Sequence, residues 1–293
     1  MNAPDEILGI LGKVKDLPSL PQVVNHVLDV MDDARSSVKD VAHAMEEDPA
    51  LTAKVLRVAN SAYYAPRSEI TSVSYAIARM GLGEVRNLII TTGVVSSMKG
   101  RVLGNLNYED YWKHCLSVAI VARVVNDHAP LAPKYLKATE NPYFVAGLLH
   151  DIGILILDQN VSSVYSEVLN HAMESGRPLA EIEQGILGSD HQEVGGFICN
   201  KWHLPQLVGL TARYHHQPER AAAEDQVFVS VIQIADAVCV RSGAGRFLGH
   251  AAEEAHPFAM TALGLTPDDL DKITAGVDAA LEKSDMLRLV LQD

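Results

Sequence analysis

A chain of 293 residues, 48 % apolar but only 5 % aromatic, must fill its core with Ala, Val, Leu and Ile, which excludes intrinsic disorder and allows one large domain or two medium ones. Its formal charge of −13 excludes a broad nucleic-acid-binding surface, which needs clustered Lys and Arg, while leaving room for a local basic pocket. Three widely spaced cysteines, Cys115, Cys199 and Cys239, exclude a disulfide framework or a cysteine-rich zinc site, and predict buried thiols in a reducing cytoplasm.

The start, MNAPDEILGI, is acidic and lacks the basic segment and apolar run of a signal peptide. The strongly apolar stretch Leu148–Leu157 is broken by His150 and Asp151 and is too short to cross a bilayer. A cytoplasmic protein without a membrane partner is therefore expected.

Helical signals run the length of the chain. Leu17-Pro-Ser-Leu-Pro21 stops one helix and opens another, because proline is tolerated only in a first helical turn. Val23, Val24, Val27, Leu28 and Met31 then recur at helical spacing. Ser37 is placed to cap a helix lined by Val38, Val41, Ala42 and Met45. Asp48-Pro49 is a cap followed by a first turn, leading into Leu51, Val55, Leu56 and Val58. Ser72 opens a helix to Met80, and Gly81 and Gly83 are expected to separate it from a longer one ending near Met98. Gly100 and Gly104 stand among polar residues in 99–107, which predicts a division into an N-terminal lobe, 1–98, and a second lobe, 107–293.

The second lobe opens with a predicted helix, Tyr111–Val125, followed by a connection rich in Pro, His and Lys over 126–141. Asn141-Pro142 is expected to cap Tyr143–His150, with Gly153 a turn or a point of tight packing before Leu155–Leu157. Further helices are predicted over 178–186, 190–202, 205–216 and 226–241, and from Pro267 onward. No alternating strand pattern of useful length and no repeat of fixed period is present, so the fold class is all-α.

Seven polar side chains stand out in the second half: His114, His150, Asp151, His191, His215, His216 and Asp236. A single histidine beside an apolar face is ordinarily a hydrogen-bonded core residue. Asp151 and Asp236 are different, because each interrupts a strongly apolar helical window, where a carboxylate must be paired, protonated or metal-bound. Imidazoles and carboxylates converging from several helices suit a divalent metal such as iron, manganese, magnesium or zinc. Lys113, Lys201 and Arg213 are the nearby cations, each expected on a solvated face. Trp112 and Trp202 read as core or helix-junction residues. Cys115, though adjacent to His114, points about 100° away around a helix and reads as a small core residue.

Leu148-Leu-His-Asp-Ile-Gly153 resembles the signature of the HD superfamily of metal-dependent phosphohydrolases. That resemblance implies a ligand set of His114, His150, Asp151 and Asp236. His191 with His215 and His216 matches the extra histidines of members that bind more than one ion, such as the HD-GYP cyclic-di-GMP phosphodiesterases. In such a site Asp151 would lie between two ions, one held by His150, His114 and Asp236 and the other by His191 with His215 or His216; it is also the catalytic candidate if the chain is active.

A narrower resemblance covers residues 10–245. Leu17–Pro21, Asp48-Pro49 through Arg57-Val-Ala-Asn-Ser61, Ala76–Gly81, Gly147–Gly153, Trp202-His-Leu-Pro205 and His215-His-Gln-Pro218 are similar to the HDOD domain, the HD-related output domain. It implies a bacterial signalling or regulatory module with protein partners, among them response-regulator or cyclic-di-GMP machinery. Two departures from the HD-GYP pattern bear on catalysis. The phosphate-contacting lysine after the His-Asp-Ile-Gly motif is Ile154 here, and Gln217–Ala223 stands where those enzymes carry Gly-Tyr-Pro. The expectation is a retained metal site without its substrate groups.

Overall fold

The computed structural model describes residues 19–61, 66–98, 106–132, 142–244 and 254–282. Among these residues the chain is helical throughout and holds no strand. The first five helices are α1 (Gln22–Asp32), α2 (Val38–Glu46), α3 (Pro49–Ala59), α4 (Val73–Met80) and α5 (Leu82–Met98).

Their starts follow the local chemistry. Asp48 accepts hydrogen bonds from the amides of Ala50 and Leu51, both at 2.9 Å. Ser72 caps α4 by accepting from the Tyr75 amide at 3.2 Å. At α2, Asp40 reaches back to accept from the Ser37 amide at 2.7 Å, which completes a capping box. Gly81, at φ 89°, makes the whole break between α4 and α5; Gly83, expected to share it, already lies in the first turn of α5. Residues 1–18, with the Leu17-Pro18 signal, and 99–105, where the sequence places most of the division between lobes, lie outside the described residues.

The second half comprises α6 (Tyr108–His128), α7 (Tyr143–Leu149), α8 (Ile152–Asn160), α9 (Ser162–Ser175), α10 (Leu179–Leu187), α11 (His191–Lys201), α12 (Gln206–Tyr214), α13 (Gln226–Ser242), α14 (Pro257–Leu263) and α15 (Pro267–Glu282). The α6 helix is longer than its periodicity predicts. Asn107 caps it by accepting from the amides of Glu109 and Asp110, at 3.1 and 3.2 Å, which draws the start back to Tyr108. At its other end the helix runs on to His128, into the expected connection. Asn141, the expected cap of α7, lies outside the described residues.

Two apolar clusters form the interior. The larger takes in α1–α5 and the inner faces of α7–α12, from Leu20 to Ala212. The smaller joins α6, α7, α13, α14 and α15 through residues such as Val121, Phe228, Ile232, Val238, Leu263 and Ile273. Helix α6 belongs to both, Leu116 and Ala119 to the larger and Val118, Val121 and Ala122 to the smaller. Trp112, Trp202 and the three cysteines are all buried, and the thiols are free. Among the described residues no helix is long and apolar enough to cross a membrane.

Candidate metal centre

The seven singled-out side chains come from five places in the fold. His114 lies inside α6 and Asp236 inside α13. His150 and Asp151 form the two-residue joint between α7 and α8. His191 is the first residue of α11, and His215 and His216 follow the last residue of α12.

Close backbone contacts bring these places together. A Cβ built on Gly147 would stand 2.7 Å from the Ala119 Cα, so α7 touches the backbone of α6 there. On Gly153 it would stand 1.9 Å from the His191 carbonyl oxygen, so the start of α8 lies directly on the start of α11. Gly153 is thus a point of tight packing rather than a turn.

All seven side chains converge, in two groups whose ligand atoms lie within 4.8 Å of one another: His114, His150 and Asp236, then Asp151, His191, His215 and His216. Asp151 stands between them. Its Oδ2 is 3.2 Å from His150 Nε2 and 3.7 Å from His114 Nε2. Its Oδ1 is 3.2 Å from His215 Nε2 and 3.6 Å from His191 Nε2. Asp236 Oδ1 lies 3.1 Å from His114 Nε2. Six of the seven are buried, and His216 is partly exposed.

The orientation of the rings is the test of whether this set fits a metal. His150 Nδ1 donates to the Gly147 carbonyl at 2.7 Å, and His215 Nδ1 lies 3.2 Å from the carbonyls of Thr211 and Ala212. His191 Nδ1 lies 2.6 Å from Glu183 Oε2. With Nδ1–H so committed, each ring turns an Nε2 lone pair inward, the arrangement that outer hydrogen bonds give metal-ligating histidines. Asp151 Oδ1, His215 Nε2 and Asp236 Oδ1 are buried without hydrogen-bond partners among the described residues. Asp151 Oδ1 and His215 Nε2 stand 3.2 Å apart and belong to the same group of ligand atoms. Nε2 atoms also face one another across His114–His150, 3.3 Å, and His191–His216, 3.1 Å. Lone pairs so opposed need a proton or a cation between them, and the set fits a divalent ion.

Without an ion, protons take the cation's place. Burial alone would strip the rings of His150 and His191, but Asp151 beside the first and Glu183 beside the second outweigh it and raise them to about 9 and about 10. Burial, reinforced by a neighbouring imidazole, drives His215 to about 3 and His216 to about 4. Burial also works against the charge on both carboxylates, yet His150 holds Asp151 well below the usual range and His114 holds Asp236 low.

Lys113, Lys201 and Arg213 are exposed, as the sequence predicts. Ile154, where the HD-GYP enzymes place a lysine, is buried in the larger core. Glu183 is the residue that sequence reasoning passes over. It is fully buried on α10, one turn after Leu179 and next to Ile182, so its place on an apolar stripe was the available signal.

The HDOD domain family model matches residues 17–218. A crystal structure of an HDOD domain protein of unknown function from Geobacter sulfurreducens is 27 % identical, with a TM-score of 0.79 over 99 % of this chain and 98 % of that one. A candidate signal transduction protein from Marinobacter aquaeolei VT8, 22 % identical, shares the fold with a TM-score of 0.75 over 99 % of this chain and 66 % of its own. An uncharacterized protein of Treponema pallidum (strain Nichols) is 23 % identical over 233 residues, 78 % of this chain, which spans 43 % of that relative's length. A family match over more than half of the chain, joined to the all-helical fold, shows that this protein belongs to the HDOD domain family.

Proposed function

We propose that this protein is a regulatory output module of signal transduction, acting through contacts with other proteins, with a divalent metal as a fixed or sensory part of its structure. One observation carries this reading: a set of converging metal donors stands beside a buried Ile154, at the position where the resembled phosphodiesterases carry a phosphate-contacting lysine. Ile154 adds apolar surface to the core where a phosphate-binding lysine would be needed. The sensed partners are signalling proteins, response-regulator or cyclic-di-GMP machinery among them, in a cytoplasmic setting. The similarity to a candidate signal transduction protein supports this direction. Five imidazoles and two carboxylates suit iron, zinc or manganese better than magnesium, which prefers an all-oxygen shell. His114, His150 and Asp236 would hold one ion, His191, His215 and His216 a second, with Asp151 between them.

A second reading, a phosphohydrolase acting on a nucleotide or cyclic nucleotide, is favoured by the partial exposure of His216, which brings one side chain of the centre to the solvent. An ion in this site supplies Lewis-acid polarisation of a phosphoryl oxygen. The test is elemental analysis of protein purified under reducing, chelator-free conditions, followed by a phosphodiesterase screen with added manganese, iron or magnesium. One or two ions per chain and no turnover are expected. Turnover that vanishes in Asp151→Asn would establish the phosphohydrolase instead, and a metal-free protein would sink both readings.

A further inference from the structure

Glu183 holds no place in the metal-suited set, yet it is fully buried, where a carboxylate without partners is costly. Its Oε2 accepts from the His191 amide at 2.8 Å and lies 2.6 Å from His191 Nδ1. Its Oε1 accepts from the Tyr165 hydroxyl at 2.6 Å, which ties α9 to the same point. His150 and His215 need no such help. Each follows a helix, so a carbonyl three or four residues back meets its Nδ1. His191 opens its helix, and no helical carbonyl lies one turn behind it. A side chain must supply the acceptor, and Glu183 does.

We infer that Glu183 is the positioning residue for the outer half of the centre, formed by Asp151, His191, His215 and His216. That half holds its ion at full strength only while Glu183 fixes the His191 ring with Nε2 inward, whereas His114, His150 and Asp236 load without it. The inference rests on the metal reading above and adds to it which residue governs the second ion.

The test is titration of the chelator-stripped 293-residue chain with Mn2+ alone, followed by calorimetry and by metal analysis after desalting. Two ions are expected in the wild type. Glu183→Ala should hold one, or bind the second about 10–100-fold more weakly, the usual cost of removing an outer hydrogen-bond partner. Tyr165→Phe takes a hydroxyl from the same buried cluster but leaves Oε2 on His191, so it should lower Tm and keep both ions. An unchanged second-ion affinity in Glu183→Ala, a single ion in both wild type and variant, or equal ion loss in Tyr165→Phe overturns the inference. If Glu183→Ala does not fold, Glu183→Gln replaces it: a weakened second ion supports the role and an unchanged one overturns it. A wild type that takes up no ion refutes the metal reading instead. Glu183 is then judged by the His191 Nδ1–H resonance of the metal-free protein, which should shift in Glu183→Gln; an unmoved resonance overturns the positioning role.

Discussion

At the scale of single residues, Asp151 matters most because its two oxygens face different halves of the centre. Asp151→Asn keeps the shape and loses the charge that opposes His150. It should reduce metal content and destabilise the ion-free protein by about 3–5 kcal/mol, the cost of leaving one member of a buried ion pair alone. Metal analysis and thermal unfolding check both, and a variant with wild-type values for each would remove Asp151 from the centre. Protons and ions compete for the same atoms. With His150 raised to about 9 and His191 to about 10, both rings are protonated at neutral pH and must lose those protons to ligate. A falling pH therefore weakens uptake, and a rising pH strengthens it until the advantage levels off near the upper value. Calorimetry at neutral pH in buffers of different ionisation enthalpy should register net proton release on binding; a buffer-independent heat would contradict it.

At the scale of elements, the site depends on how closely α8 approaches α11. Gly153→Ala places a methyl group where backbone already stands, 1.9 Å from the His191 carbonyl oxygen, so the two helices must part. The expected loss is about 3 kcal/mol, at the upper end of overpacking costs, together with weaker binding of the second ion. Gly185→Ala is the control: that position lies in α10 with nothing within 4 Å of the added Cβ, and the change should stabilise by about 0.5–1 kcal/mol. Equal Tm values for the two variants would refute the close-approach argument. Legibility in the sequence followed the same local logic. Helices opened by Ser72 or by Asp48-Pro49 could be read because a side chain satisfies the first amides. Helix α9 went unread because Val161 precedes it and offers no side-chain cap. The seven metal-suited residues were legible from motif and from polar intrusion into apolar windows. Glu183 was not, because its role depends on the tertiary approach of α10 to the first residue of α11.

At the scale of the whole molecule, the centre reaches beyond the stretch that the family model covers. That match ends at residue 218, yet Asp236, on α13, stands 3.1 Å from His114. Helix α13 is in turn packed against α14 and α15, whose Leu263, Ile273 and Val277, with Leu265 between the two helices, belong to the smaller core. Each such side chain contributes about 1.5–3 kcal/mol when fully buried. Cutting the chain after Gly243 would remove the α14 and α15 side chains from the cluster that also holds Ile232, Ala235 and Val238, on the same helix as Asp236. The truncated protein should therefore melt well below the full chain and bind its first ion more weakly, while Asp151, His191, His215 and His216 keep their positions on elements of the larger core. Thermal unfolding with manganese titration of both forms separates the alternatives. If the shortened chain kept the full-length Tm and first-ion affinity, α14 and α15 would be appendages; a selective loss at the Asp236 group makes them part of what holds the centre closed.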